Sequence, residues 1–567
     1  MEPMIHVNDV TFQYPGAHHP VLQNVSLTVE KGEFLAILGG NGSGKSTLCK
    51  LFNGLIPNYY VGDITGEVKV NGLDTFTHSV ASLSEHVGYV YQDFENQIVS
   101  PRVLEDASFA PLHYGYSDYQ ERAERALEFV GLEAYSHSFV WQLSGGQKHL
   151  LALASVLSLQ PEVIVIDEPV AQLDPQHAND IYHILRKIHD QWEKTIIVIE
   201  HHTEFVAQYA DQVVLLEDGQ VSFKKPVTDA LNQVGTLLKH QIYPPQVTQA
   251  AAQLGFDAPL PITLAEGESV FRPSLHTTFD DSSIEMPMNK EPLIQFQNVN
   301  FSYQTITRKK KQVLYDVHLQ IYKGDYVALV GNNGAGKSSL MRLVTGLHKP
   351  GSGEVSVNGY NVEHTSPEHL AEMVTYIHQN PEQMFIDDSV EKDVGFYMRA
   401  RKIENDQELV NRLLDQFELQ DLADRDSRLL SGGQQRKTSL AIGVGMDPAI
   451  MLLDEPTANL DIATRKHITR LLDQLKEQLS SVIMATHDMQ LATAFANRFI
   501  VMNQGEVIYD GDRAGLFQNP VLMQKAGLVP PQIYSLSHQL GWTSPVYTVE
   551  DFVAMYRKKE GADGVYA

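Results

Sequence analysis

A glycine-rich loop closed by Lys-Ser occurs twice in this chain, as Gly39-Gly40-Asn41-Gly42-Ser43-Gly44-Lys45-Ser46 and as Gly331-Asn332-Asn333-Gly334-Ala335-Gly336-Lys337-Ser338. Each copy follows a short apolar run, Phe34–Leu38 or Tyr326–Val330, and opens a stretch that reads as a helix. Strand, tight glycine loop and helix in this order belong to sheets covered by helices, so the loop fixes an α/β class wherever it occurs. The apolar run ending in Asp167-Glu168 returns at Asp454-Glu455, and Leu143-Ser144-Gly145-Gly146-Gln147 returns as Leu430-Ser431-Gly432-Gly433-Gln434, both displaced by 287 residues. A repeat of about half the chain is far longer than a solenoid unit, so each copy is expected to be a domain with its own core.

The other elements follow the duplication. β-type stretches are expected at Ile5–Tyr14 and Val21–Val29 and again at Ile294–Tyr303 and Val313–Ile321; buried parallel strands are expected at Val163–Ile166 and Ile196–Ile199 and again at Met451–Leu453 and Val482–Met484. The spacing predicts a first domain over 1–240 and a second over 293–525. Between them, residues 241–292 hold seven prolines and seven acidic residues against two basic ones, the composition of a small appendage followed by a linker. Tyr243-Pro244-Pro245-Gln246, leading to Gln253-Leu254-Gly255-Phe256, is echoed by Val529-Pro530-Pro531-Gln532, leading to Gln539-Leu540-Gly541-Trp542. Each domain is therefore expected to carry a short C-terminal helical piece, the second one within 526–567.

Composition narrows the partners. No apolar run approaches the roughly 20 residues that cross a bilayer, and Met1-Glu2-Pro3-Met4 lacks the basic and apolar segments of a signal peptide, which predicts a cytoplasmic chain. The net charge of −27 repels nucleic acid and anionic head groups, so no nucleic-acid partner is expected and any membrane contact must be local and specific. Arg308-Lys309-Lys310-Lys311 and Arg557-Lys558-Lys559 are basic exceptions, read as a solvated loop and tail. The single cysteine, Cys49, excludes an internal disulfide and reads as a packed residue.

The repeated motifs carry phosphate chemistry. Successive backbone N–H groups of the glycine loop, at a helix N-terminus, form a cradle for phosphates. Lys45 and Lys337 are expected to reach the β- and γ-phosphates, Ser46 and Ser338 to ligate Mg²⁺, and Thr47 and Ser339 to extend the nucleotide contact. Asp167 and Asp454 end apolar strands and fit the carboxylate that holds Mg²⁺; Glu168 and Glu455 are placed to polarise the attacking water. An Asp-Glu pair at a strand end is also a common helix cap, but the flanking Pro169 and Pro456, with Leu173-Asp174 and Leu460-Asp461 beyond, favour chemistry. Ser144-Gly145-Gly146-Gln147 and Ser431-Gly432-Gly433-Gln434 supply a hydroxyl, unhindered amides and a helix N-terminus, all suited to a γ-phosphate.

Together these motifs make the chain resemble the ATP-binding cassette (ABC) family over residues 4–225 and 293–512. The resemblance implies two P-loop ABC nucleotide-binding domains in tandem, each with a parallel-sheet core, an antiparallel β part, a helical signature subdomain and the short C-terminal piece. It implies ATP and Mg as cofactors, Mg-dependent hydrolysis, and head-to-tail pairing in which Ser431–Gln434 complete the site built on Lys45, and Ser144–Gln147 the site built on Lys337. Tyr14 and Tyr303 stand where an aromatic ring stacks on adenine, or are ordinary strand-end aromatics. Gln92 and Gln379 match the glutamine that senses Mg²⁺ and water, and His201 and His487 the histidine at the γ-phosphate. The first half departs from the second at Val170-Ala171-Gln172, at Glu200 against Thr486, and at His149 against Arg436, so unequal sites are expected.

Gln92-Asp93-Phe94-Glu95-Asn96-Gln97 and Gln379-Asn380-Pro381-Glu382-Gln383 are similar to the ATPases of energy-coupling-factor importers, with Gln97 and Gln383 at the second glutamine facing the membrane partner. This resemblance implies a transmembrane coupling subunit and a substrate-binding membrane subunit as partners, a peripheral position at the cytoplasmic face of the membrane, and a vitamin or transition-metal cargo, with thiamine or its pyrimidine precursor as the subgroup of fused chains. Two alternatives stay open at this point: a soluble tandem cassette acting in translation or DNA repair, and the fused ATPase of a sugar importer.

Overall fold

Phe34–Leu38, Val163–Asp167 and Thr195–Ile199 are buried at every position. Strands apolar on both faces need helices on both faces, and parallel pairing provides that. In the computed structural model of the chain they form the centre of a six-stranded sheet ordered Gln220–Pro226, Gln212–Glu217, Phe34–Leu38, Thr195–Ile199, Val163–Asp167, Val87–Val90. Only the Gln220–Pro226 edge is antiparallel, as the continuation of a tight turn at Asp218-Gly219. The second half repeats the order from Val374–Ile377 through Ile450–Asp454, Ser481–Ala485, Tyr326–Val330 and Arg498–Asn503 to Glu506–Gly511. A separate antiparallel sheet of four strands, led by Ile5–Gln13 in one half and Ile294–Gln304 in the other, accompanies each parallel core.

The structure describes all residues except 1–2, 171–172, 272–291, 305–309, 404–405, 459, 461, 543–544 and 564–567, and the side chains of 463 and 559–563. Ala171, Gln172, Asp461, most of the acidic linker, Arg308 and Lys309 of the first basic cluster, and the side chain of Lys559 in the second thus lie outside the description.

Each half inserts a helical part between its two outer parallel strands. In the first half Val103–His113 and Tyr119–Phe129 pack with Gly145–Leu157; in the second, Val390–Ala400 and Asp406–Gln416 pack with Gly432–Gly445. Tyr119–Phe129 is amphipathic, burying Ala123, Ala126 and Leu127 and exposing Glu121, Glu124, Arg125 and Glu128. Cys49 is packed as expected; burial and the nearby Asp167 raise its thiol well above the usual range.

The expected C-terminal pieces are helices, Gln246–Leu254 and Gln532–Gln539, each starting directly after its Pro-Pro pair. The chain's end behaves differently from its neighbours. Two compact units are present, Met1–Leu275 with Val549–Ala567, and His276–Thr548. The segment 526–567, grouped as one appendage from the sequence, is divided, because Val549–Asp563 packs in the first unit. Phe552 and Tyr556 lie one helical turn apart and meet Phe271 with ring centroids 5.2 and 5.5 Å away, while Phe256 lies 5.2 Å from Phe271. Phe271 and Phe552 are fully buried there, and each such burial stabilises by roughly 1.5–3 kcal/mol. Arg557 Nη2 closes the contact by donating to the Gln253 carbonyl at 2.6 Å.

Candidate active site

The helices Lys45–Phe52 and Lys337–Val344 begin straight after the glycine loops, with Gly44 and Gly336 in left-handed conformations at φ 99° and 103°. A side chain is excluded at both for a second reason: a Cβ on Gly44 would lie 2.9 Å from the Val21 carbonyl, and one on Gly336 2.8 Å from Leu314 Cδ2. Lys45 Nζ donates to the carbonyls of Gly39 and Gly40 at 2.9 Å each. Lys337 Nζ does the same to Gly331 at 2.6 Å and Asn332 at 3.2 Å. Both ammonium groups are thereby folded over their own loops, above the amides that the loop glycines leave accessible. Tyr14 Oη and Thr47 Oγ1 are 3.3 Å apart, and Tyr303 Oη and Ser339 Oγ 3.2 Å, so each strand-end tyrosine is tied to the first turn of its loop helix. Phe12 and Phe301 hold those rings edge-on at 4.8 Å.

Asp167 and Asp454 end their strands buried at 8% and 5% exposure. Burial raises the Asp167 carboxyl, opposed by hydrogen bonds from Ser46 and Tyr89 and by the Lys45 charge. Ser46 and Asp167 are thus brought together as hard oxygen donors. Such a set suits Mg²⁺, which takes one or two protein oxygens alongside phosphate and water; among the described residues no cluster of His, Cys, Asp or Glu provides a cage for a softer ion.

Glu168 and Glu455 follow in left-handed conformations, φ 53° and 46°, a cost of about 1–3 kcal/mol for a non-glycine residue that persists at functional sites. The turn aims each carboxylate at the end of the neighbouring strand. Glu168 Oε2 accepts from Gln92 Nε2 at 2.7 Å, and His201 Nε2 lies 3.2 Å from Oε1. Burial alone would raise the Glu168 carboxyl; His201 and Lys45 outweigh it and hold the group below its ordinary value. At Glu455 the partner is His487, Nδ1 to Oε1 3.0 Å. This pair is mutually stabilised as ions: Glu455 is lowered and His487 raised, each against the effect of burial. Among the described residues Gln379 makes no side-chain bond to Glu455.

Ser144 and Ser431 cap the helices Gly145–Leu157 and Gly432–Gly445 in capping boxes: each Oγ accepts from the amide of Gln147 or Gln434 at 3.2 or 3.4 Å, and the glutamine side chain accepts from the serine amide. This is a plain helix cap, and it leaves the hydroxyl proton free to donate. Among the described residues a Cβ on Gly145 or Gly432 would meet nothing within 4 Å, whereas one on Gly146 would lie 2.7 Å from His177, and one on Gly433 2.9 Å from Thr464. The first glycine of each pair therefore leaves an open amide face, and the second permits close helix packing.

The geometry also brings in Tyr89 and Tyr376, which the motifs did not name, and gives partners to the residues at which the two halves differ. Tyr89 and Tyr376 donate to Asp167 and Asp454. Arg436, 2% exposed, donates to the carbonyls of His378 at 2.8 Å and Gln379 at 2.6 Å, while His149 in the same place stacks on Phe94 with centroids 4.6 Å apart. Glu200 accepts from the amides of His201 and His202 at 2.8 and 2.9 Å and from Tyr182 Oη at 2.7 Å, buttressing the histidine. The signal for the tyrosines was available: each lies 78 residues before its aspartate.

The ABC transporter family model matches residues 22–171 and 314–458, the stretches that contain both glycine loops, both capped helices and both Asp-Glu turns. The chain belongs to the ABC transporter family. It is an ATPase with two ABC nucleotide-binding domains in tandem. A Methanosarcina mazei protein provisionally named an ABC transporter ATP-binding protein is 33% identical over 94% of this chain and 92% of its own length. One from Caldanaerobacter subterraneus subsp. tengcongensis, named in the same way, is 31% identical over 97% and 98%. Among solved structures, archaeal ribosome recycling factor aABCE1, in complex with ribosomal stalk protein aP1, has TM-score 0.56 at 19% identity, covering 89% of this chain and 90% of that one. This last likeness is one of fold.

Proposed function

We propose that this ABC ATPase powers an importer of the energy-coupling-factor type, docking on a transmembrane coupling subunit that works with a separate substrate-binding membrane subunit, at the cytoplasmic face of the membrane. The observation that carries the proposal is a duplicated apolar surface. Val99 is 61% exposed and Ile386, at the same displacement of 287, is 62% exposed; Phe109 and Phe396, again at that displacement, are each 41% exposed. Both pairs lie just past the glutamine-bearing loops, where nucleotide-driven movement of Gln92 or Gln379 would be passed on. Exposed apolar residues that recur at matched positions mark an interaction surface better than scattered ones do. With −27 net charge and no described helix long and apolar enough to cross a membrane, attachment through apolar contact with partner helices is favoured over direct adsorption to anionic lipid. A thiamine or hydroxymethylpyrimidine cargo is the preferred subgroup, on sequence resemblance.

At each site the loop amides and Lys45 or Lys337 bind the phosphates of ATP, and Tyr14 or Tyr303 flanks the adenine. Ser46, Asp167 and Gln92, and their counterparts Ser338, Asp454 and Gln379, hold Mg²⁺, which when bound neutralises charge on the β- and γ-phosphates. Glu168 and Glu455, kept ionised by His201 and His487, accept a hydrogen bond from the attacking water and draw its proton. The open amide faces at Gly145 and Gly432 support the reading that each signature helix donates to the γ-phosphate held by the other domain's loop.

Co-expression with the two membrane subunits tests the docking. Replacing Val99, Phe109, Ile386 and Phe396 by Ser is expected to abolish co-purification while ATP binding persists. A complex that survives the replacement, or tight binding of the chain to bare anionic vesicles, overturns the proposal.

A further inference from the structure

Tyr89 and Tyr376 are buried, at 6% and 9% exposure. Tyr89 sits opposite Val165 and Tyr376 opposite Leu452 on parallel neighbours, so each ring runs along the adjacent strand and its hydroxyl arrives two residues further on. There Tyr89 Oη donates to Asp167 Oδ2 at 3.2 Å, and Tyr376 Oη donates to Asp454 Oδ2. Packing alone does not call for these hydroxyls, since phenylalanine would fill the same apolar volume without a polar group to satisfy. A phenol, with an ordinary pKa of about 10, carries its proton near neutral pH, so each hydroxyl is the donor and the carboxylate the acceptor.

A carboxylate on one rotatable bond presents either oxygen to a metal; a fixed donor on one oxygen commits the other. We propose that Tyr89 and Tyr376 are positioning residues that hold Oδ2 of Asp167 and Asp454 so that the remaining carboxylate oxygen faces the Ser46 or Ser338 hydroxyl and the Mg²⁺ held there. The inference rests on the reading above that these aspartates hold the metal. Outer partners of this kind set ligand orientation, and their loss typically weakens metal binding about 10–100-fold. The two halves hold their tyrosines differently. In the second, the Tyr376 and Tyr303 phenols outweigh burial and hold the Arg342 guanidinium above its ordinary value; in the first, Lys50, at the same place in its helix, lies over the Tyr60 ring, 4.5 Å from its centroid.

The test uses the full chain with Mn²⁺ as the metal probe, its binding followed by electron paramagnetic resonance with a non-hydrolysable ATP analogue present. The double variant Tyr89→Phe, Tyr376→Phe is expected to bind Mn²⁺ about tenfold or more weakly, to keep its affinity for the analogue in EDTA, and to need more Mg²⁺ for half-maximal turnover. Tyr91→Phe, a neighbouring phenol that does not reach Asp167, is expected to change none of these. Unchanged Mn²⁺ affinity in the double variant overturns the proposal, as does loss of metal-free nucleotide binding or an equal effect of Tyr91→Phe. Asp167→Asn with Asp454→Asn separates the two layers: wild-type Mn²⁺ affinity in that variant would refute the metal reading of the aspartates, whereas its loss there with no change in the tyrosine variant would refute the positioning role alone.

Discussion

Arg436 Nη2 donates to the carbonyl of Gln379 at 2.6 Å, which fastens the helix capped by Ser431 to the loop that carries the candidate sensing glutamine. Its other contacts, to the carbonyls of His378 and, at 3.4 Å, Glu455, make one buried guanidinium a tie between three elements of the site. In the first domain His149 replaces these bonds with a stack on Phe94. The two sites therefore differ in how movement of the signature helix reaches the glutamine loop.

Arg436→Ala removes the donor from those buried carbonyls and opens a cavity. A cost of about 2–4 kcal/mol is expected, read as a lowered melting temperature, together with reduced ATP turnover; Arg436→Lys should recover part of both. A variant with wild-type melting and turnover would show that the tie is idle.

His149 carries a pH dependence. Burial depresses its imidazole from 6.5 to about 4, and Nδ1 has no partner among the described residues. Because the folded value lies below the unfolded one, the neutral ring's contribution is complete above pH 6.5 and is lost as pH falls from 6.5 towards about 4. The loss amounts to at most about 3 kcal/mol at 1.36 kcal/mol per unit. His149→Gln should flatten the stability profile of the first domain across that window, measured by chemical denaturation at a series of pH values. Parallel profiles for the two proteins would count against this account.

The architecture was legible because the strands carry it locally. Phe34–Leu38 and Val163–Asp167 are apolar throughout, and Gly44-Lys45 can hardly sit anywhere but at a strand-to-helix turn. The destination of Val549–Asp563 was not legible: Phe552 and Tyr556 announce an apolar helix face, but the sequence does not say that Phe256 and Phe271, about 300 residues earlier, complete it. Tyr89, and the contacts made by Arg436, escaped for a related reason. Their partners are a carboxylate on an adjacent strand and carbonyls of a distant loop, and only the fold brings these within reach.

Replacing Glu168 and Glu455 together by Gln keeps shape and removes the acceptor charge that His201 and His487 sustain. Hydrolysis is expected to fall about 10²–10⁴-fold, the range for a lost general base, with ATP affinity retained. Turnover near wild type in the double variant would mean that neither carboxylate polarises the water.

The exposure of Val99 and Ile386 has an identifiable cause. Asp106, 3% exposed, accepts from the Val99 and Ser100 amides through Oδ1 at 2.8 and 3.0 Å and from Ser155 Oγ through Oδ2 at 2.9 Å. Asp393, 2% exposed, repeats this with the amides of Ile386 and Asp387 at 2.8 Å each and Ser427 Oγ at 2.6 Å. Each buried carboxylate pins two consecutive amides and turns the apolar side chain outward. Asp106→Ala with Asp393→Ala leaves four amides without an acceptor and frees both loops, at a cost of about 1–3 kcal/mol for each carboxylate lost. Hydrogen exchange at Val99, Ser100, Ile386 and Asp387 should accelerate, and capture of the membrane subunits should weaken, while ATP affinity holds because neither aspartate touches the glycine loops. Faster exchange with undiminished capture would show that the partner does not read these two apolar side chains.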